Sequence, residues 1–198
     1  MRASPEKKEE KERVRHALLR ATLQVAAAHG FSSLGLREVA REAGIAPTSF
    51  YRHFADMDEL GRAIINEFVV PTLAQLEQAV KEAAGGGQGV PEALVSAAFQ
   101  AVAQDRELVR FVLAEQAGAF ANFRAGLRQK LDVLAQTLQG ACSCEPWQAH
   151  AAVVVLLDEL NRLLEMEGAE AEPARSELRS QALQRLAAQL KARKESAP

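Results

Sequence analysis

Apolar residues recur along this chain at intervals of three and four, and stretches that alternate apolar with polar are rare. That is the pattern of helices that each bury one face. Val14, Leu18, Ala21 and Val25 stand at steps of 4, 3 and 4 and define a first helix, which Gly30 ends. A short helix follows at about Leu36–Ala43, closed by Gly44, and another at about Pro47–His53, with Pro47 suited to its first turn. A long helix is predicted from Asp56, whose carboxylate can cap it, towards Ala84, with a kink or break at Pro71. Beyond the glycine-rich stretch Gly85–Gly89, helices are predicted at Pro91–Gln104, Arg106–Ala117, Ala119–Gln139, Trp147–Glu167 and Ala174–Arg193.

Two of these patterns bear on assembly. Ala151–Leu157 is apolar all round, so it needs burial on every side, one of which a partner subunit can provide. The last helix has one stripe, Leu178, Ala182, Leu186 and Leu190. The helices over 147–167 and 174–193 are therefore expected to form a four-helix seam in a homodimer. The alternative use of the same residues is the core of a monomer.

Composition narrows the class. The chain has 198 residues, 48% apolar and 25% charged, which is ordinary globular usage with Ala, Leu, Glu, Gln and Arg favouring helix. The Ala151–Leu157 run is far too short to span a membrane. Met1–Arg13 is mostly charge, unlike a secretion signal, and the two cysteines, Cys142 and Cys144, cannot staple a secreted fold. A cytoplasmic protein without a membrane partner is expected. The net charge of −2 hides an asymmetry: residues 1–55 hold 10 Lys and Arg against 6 Asp and Glu, whereas the remainder is acidic. Only the first part is suited to a polyanion.

The segment Leu36–Phe54 has the grammar of a helix-turn-helix. Ala40 is small where two helices cross, Gly44 permits a left-handed turn, and Val39, Ala43, Ile45 and Phe50 supply a shared core. The second helix then exposes Thr48, Ser49, Tyr51, Arg52 and His53. Short hydroxyls suit base edges and phosphates, and Tyr, Arg and His donate to phosphate oxygens. The same spacing also serves helix pairs that never meet DNA.

Leu36-Arg37-Glu38-Val39-Ala40, Ala43-Gly44-Ile45, Ser49-Phe50-Tyr51-Arg52-His53-Phe54 and Asp58-Glu59-Leu60 together resemble the tetracycline-repressor (TetR) family of transcriptional regulators. Ala43–Phe54, with Val109–Glu115, Gly118 and Phe123-Arg124, resembles the DesT/FabR-like subgroup that represses unsaturated fatty-acid synthesis and senses acyl-CoA. The resemblance implies an all-α fold, with an N-terminal three-helix helix-turn-helix domain (1–55) and a C-terminal helical ligand-binding and dimerisation domain (56–198). It implies a homodimer on a palindromic double-stranded operator, and an apolar small-molecule effector such as long-chain acyl-CoA. Coupling is expected through the long helix from Asp56. The candidate DNA-binding set is Arg37, Pro47, Thr48, Ser49, Tyr51, Arg52 and His53. Gly35 stands where many relatives carry Ser or Thr, and Ala114 and Gln116 flank Glu115 where the fatty-acid subgroup carries arginines.

The candidate effector set is Phe99, Phe111, Glu115, Phe123, Arg124, Leu127, Arg128 and Val154. Phe99, Phe111, Phe120 and Phe123 fall in successive helices and read either as core or as the lining of a cavity. Arg124 and Arg128, one turn apart, read as a solvated face or as partners for CoA phosphates. Cys142, Cys144 and His150 give only three groups without a second clear pair, so no metal site is expected, and no cofactor. Glu115 has no histidine or nucleophile beside it in sequence, and no catalytic constellation is present. Other readings are a xenobiotic sensor controlling an efflux gene and a helical lipid-binding adaptor without DNA function.

Overall fold

A computed structural model describes residues 5–86, 89–116, 118, 121–166 and 172–191. Its helices are α1 (Pro5–His29), α2 (Leu36–Glu42), α3 (Pro47–Phe50), α4 (Met57–Ile64), α5 (Val70–Gly85), α6 (Val90–Gln104), α7 (Arg106–Glu115), α8 (Ala121–Cys142), α9 (Pro146–Glu165) and α10 (Glu172–Leu190). The described residues include no strand. Phe120, residues 87–88 of the glycine-rich stretch and residues 168–171 of the predicted break at Gly168–Pro173 lie outside them.

The first three helices close around Leu18, Leu19, Val39, Phe50 and Phe54. Gly30 (φ 77°) ends α1 and Gly44 (φ 70°) makes the turn between α2 and α3, the two described glycines with positive φ. A short 3-10 turn, Phe31–Ser33, which the periodicity did not predict, seats Phe31 in the core.

Pro71 does not break the long helix. α4 and α5 run on through a π-helical turn at Ile65–Val69, where the Val70 N–H bonds to Ile65 O. The Thr72 hydroxyl donates to Phe68 O at 2.9 Å. Widening the turn by one residue lets the chain pass a residue that has no N–H to give. The Asp56 carboxylate caps α4 through the Glu59 N–H at 2.7 Å, as its position predicted.

The larger helical region packs α5 on α6 and α8, α8 on α9, and α9 on α10. The expectation for the stripe on α10 needs correction. Leu178, Ala182, Leu186 and Leu190 are buried inside the chain, against α9 and α6. A helix with a single apolar stripe cannot also offer it to a partner. Two polar locks hold α10 in place. Glu159, fully buried on α9, pairs with Arg162 at 3.1 Å and with Arg185 of α10. The Gln148 amide donates to Gln189 O (3.1 Å) and Lys191 O (3.0 Å), satisfying carbonyls at the end of α10. Within the single chain Ala151–Leu157 buries Ala152, Val153 and Leu156, while Val154 is 66% exposed, on the side that the expectation left to a partner subunit.

Candidate nucleic-acid interface and effector chamber

The α2–α3 unit is built by its turn. The Gly44 N–H bonds to Arg41 O at 3.0 Å and the Ile45 N–H to Ala40 O at 2.9 Å, which closes α2 with its last carbonyls satisfied. Ala46 is extended and Pro47 opens α3. Phe50 then drops into the core with no exposed surface, its ring 5.8 Å from that of Phe54. Full burial of such a ring is worth about 1.5–3 kcal/mol, enough to fix the roll of a helix only one turn long. α3 stops at Phe50 rather than His53. Tyr51, Arg52 and His53 occupy the turn beyond it.

That roll sets which candidates face out. Pro47, Thr48, Tyr51 and Arg52 are exposed on one side of the unit, Arg37 projects from α2, and Ser49 is half-buried. Tyr51 is 65% exposed, its ring edge-on to Phe50 at 5.9 Å, so packing holds its base while the hydroxyl stays free. Among the described residues neither Arg37 nor Arg52 has a carboxylate within ion-pair distance, which leaves both guanidiniums for external anions. His53 is different. It is half-buried, and burial first, then the positive charges of Lys11 and Arg15, holds its pKa below the ordinary 6.5. It is neutral at pH 7, and its Nδ1 is buried without a hydrogen-bond partner. Arg15 lies over the Phe54 ring at 5.0 Å and pairs with Glu67, joining α1 to the π-helical turn.

The second site is an apolar chamber of about 50 Å³ enclosed by α5 to α9. Leu73 and Leu76, Ala98 and Ala101, Val109 and Val112, Leu134, and Leu156 and Leu160 are among its walls. Thr72, its polar lining residue, has already given its hydroxyl to Phe68 O. Drug-sized ligands occupy about 300–1,000 Å³, so an occupant of that size has to push these helices apart.

The sequence-predicted effector residues fall in three places. Arg124, Leu127, Arg128 and Val154 come together in a groove of about 260 Å³ between α8 and α9. The groove adjoins the chamber, sharing Leu131, Val153 and Leu157 with it. Arg124 donates to Gly118 O at 2.6 Å. Phe99 lines a separate groove against α10. Phe111 and Phe123 do not line the chamber. With Phe31 they form an aromatic cluster, centroids 5.3–6.0 Å apart, under Gly61. Glu115 is 2% exposed beside that cluster, and its Oε1 accepts the Phe31 N–H at 2.7 Å. Its Oε2 is buried without a partner.

Cys142 and Cys144 are free thiols whose pKa values burial pushes up, which makes both poor nucleophiles at neutral pH. The His150 ring is 2.8 Å from Pro146 O and 3.4 Å from Asp132. Among the described residues no group of three His, Cys, Asp or Glu is placed to hold a metal. No helix of the described residues is long and apolar enough to cross a membrane.

Sequence reasoning missed two ties that cross the molecule. Arg20 of α1 pairs with Asp105, and its guanidinium lies 4.4 Å from the Phe68 ring centroid. Asp105 also caps α7 through the Leu108 N–H at 3.0 Å. Its place just before the helix was a readable capping signal; its partner on α1 was not.

Comparison with known proteins gives a family likeness for the helix-turn-helix segment and a fold likeness for most of the chain. Residues 18–64 match the family model of bacterial regulatory proteins, tetR family. The matched segment contains the helix-turn-helix described above. Most of the chain shares its fold with solved regulatory and drug-binding proteins. The fatty acid degradation regulator FadR from Bacillus halodurans is 14% identical, with a TM-score of 0.64 over 98% of this chain and 99% of that one. The multidrug binding protein EbrR, complexed with malachite green, is 20% identical, with a TM-score of 0.66 over 86% and 96%. SmeT in its triclosan complex is 18% identical, with a TM-score of 0.63 over 89% and 90%.

Proposed function

We propose that this protein is a homodimeric transcriptional repressor that binds a palindromic operator through residues 1–55 and releases or tightens it when an apolar effector enters the chamber of residues 56–198. The observation that carries this reading is the outward set on a fixed scaffold. Pro47, Thr48, Tyr51 and Arg52, with Arg37, surround a one-turn helix locked by Phe50. Arg37 and Arg52 meet phosphates, Thr48 and Ser49 approach base edges, and Tyr51 donates to a phosphate. His53, neutral and partly covered, serves as an uncharged donor. A gel shift with genomic fragments tests this: wild type should retard a discrete subset, and a Tyr51→Ala/Arg52→Ala variant should retard none.

The dimer uses α9 rather than α10. Because the α10 stripe is spent within the chain, the contact falls on the outer face of α9, where Trp147 (62% exposed) and Val154 (66%) lie two turns apart. Binding successive major grooves on one face of the duplex requires the dimer to hold its two recognition helices about 34 Å apart, one DNA turn.

The effector is a long-chain acyl-CoA, and the regulated genes are those of unsaturated fatty-acid synthesis. The support is a chamber with no free polar group, adjoining a groove that carries Arg124 and Arg128. Each buried methylene contributes about 0.8 kcal/mol, so a chain of sixteen carbons or so can offset the cost of opening closed walls. The arginines offer bidentate partners for head-group phosphates. A second reading, a xenobiotic sensor controlling an efflux gene, is favoured by the same apolar walls, since such walls reject other greasy molecules poorly; EbrR with malachite green and SmeT with triclosan share the fold. Thermal shift decides between them. Palmitoyl-CoA should stabilise more than palmitate, and Arg124→Ala/Arg128→Ala should erase that difference. A larger shift with triclosan or malachite green than with palmitoyl-CoA favours the sensor of xenobiotics.

A further inference from the structure

A second face of α6 lines a groove of about 440 Å³, completed by the start of α7, the end of α9 and the start of α10. Ala98 and Ala101 of α6 belong to the chamber, whereas Phe99, Val102 and Ala103 belong to the groove, and the two spaces share no lining residue. The floor is apolar. Val102 and Leu163 are buried there and Phe99 is half-buried, so part of its ring surface is open.

Three guanidiniums stand around this floor: Arg106 from α7, and Arg175 and Arg179 one turn apart on α10. Their contacts within the chain are largely with neutral acceptors. Arg106 donates to Leu164 O, Arg175 to Met166 O at 3.1 Å, and Arg179 to the Ser96 hydroxyl at 3.0 Å. Such contacts orient a guanidinium without cancelling its charge. Glu172 is the carboxylate among the described lining residues; its side chain is 79% exposed and 3.7 Å from Arg175. The Arg175 Nε is buried without an acceptor, so the chain leaves this guanidinium incompletely satisfied. A region that is acidic on balance thus gathers positive charge over an apolar patch. The groove between α7 and α9 shows the contrast, with Arg110 matched by Glu165.

We infer that the α6–α10 groove is a binding site for a small aromatic oxyanion, a second ligand site separate from the chamber. The apolar body lies on Phe99, Val102 and Leu163, and the carboxylate or phosphate is received by Arg175 and Arg179, with Arg106 adding charge. Guanidiniums pair with oxyanions bidentately and also stack on flat rings, which suits a ligand that carries both. The groove already has the 300–1,000 Å³ or so typical of small-ligand sites, so no helix has to move to admit it. The inference goes beyond the repressor reading and needs neither DNA nor an occupant of the chamber.

The test is calorimetric titration of the full-length protein at low salt with naphthoate and naphthyl phosphate, and with neutral naphthol for comparison. The anions should bind with a Kd of about 1 mM or tighter, the tighter of the two fixing the head group, and naphthol about tenfold more weakly. Arg175→Gln/Arg179→Gln should weaken the anions about tenfold or more. Arg175 also holds the end of α9, so a second variant isolates charge from folding: Ala103→Glu, at an exposed position on the rim, keeps the arginine contacts intact and adds one negative charge. It should weaken the anions about fivefold and leave naphthol unchanged. Arg124→Ala/Arg128→Ala, in the groove between α8 and α9, should leave all three affinities as in wild type. The inference is overturned if neither anion binds, if naphthol binds as tightly as naphthoate, if Ala103→Glu leaves the anions unaffected, or if the Arg124/Arg128 variant is the one that loses them.

Discussion

Removing the Glu115 side chain isolates the cost of one buried donor. In the folded protein the Phe31 N–H points at Oε1 from 2.7 Å, inside the aromatic cluster and away from water. Glu115→Ala removes the carboxylate that accepts this N–H, at about 1–3 kcal/mol, and adds a small void beside Phe111 and Phe123. Removing Oε2, which has no partner, offsets part of this. A net loss of about 2–3 kcal/mol follows, which for a chain of this size lowers the melting temperature by roughly 5–10 °C. Glu115→Gln keeps the acceptor and gives up only the charge assistance, so its cost should be about 1 kcal/mol. Urea denaturation followed by far-ultraviolet circular dichroism, with an unchanged slope, gives both values. The reasoning fails if the alanine variant is within about 0.5 kcal/mol of wild type, or if glutamine costs as much as alanine.

Three further outcomes follow from the same geometry. Val154→Glu should shift wild-type dimer to monomer in sedimentation while leaving the melting temperature of the monomer unit nearly unchanged, whereas Leu186→Glu, in the core, should prevent stable folding; a monomeric, well-folded Leu186→Glu would restore α10 as the seam. Because the folded pKa of His53 lies below its unfolded value of 6.5, the unfolded chain takes up a proton first as the solution is acidified. Stability should therefore fall as pH drops below about 6.5, and His53→Gln should flatten that part of a pH series of melting curves; an unaltered acid limb contradicts the assignment. Arg52→Gln should weaken operator and random DNA alike and reduce the slope of log affinity against log salt by about 1 per subunit; an unchanged slope removes Arg52 from the phosphate contacts.

The helix-turn-helix was legible because its determinants are local. Gly44, Pro47 and the Phe50/Phe54 pair each dictate a conformation within a few residues, and the structure keeps all of them. The end of α3 was overread, since Tyr51, Arg52 and His53 continue the helical spacing but occupy a turn that buries Phe54. At Pro71 a missing N–H predicts a kink or break, and the helix instead continues through a π-helical turn just before it, which the sequence pattern did not announce. Faces were legible and their partners were not. The α10 stripe is correctly a buried stripe, but periodicity does not say whether the surface it meets belongs to the same chain. The ties through Asp105 and Glu115 join residues 85 and 84 positions apart, and no local pattern announces such pairs. Phe111 and Phe123 show the same limit. An aromatic at helical spacing is buried somewhere, and here it is buried against Phe31 rather than in the chamber wall.

The most direct test of the central claim is selection of genomic fragments bound by the full-length protein, with and without palmitoyl-CoA, read by sequencing. The account predicts enrichment of a two-fold symmetric sequence with half-sites about one helical turn apart, lost in the Tyr51→Ala/Arg52→Ala variant and altered in occupancy by the acyl-CoA. Recovery of no common sequence, or of the same fragments by wild type and the double variant, would contradict it.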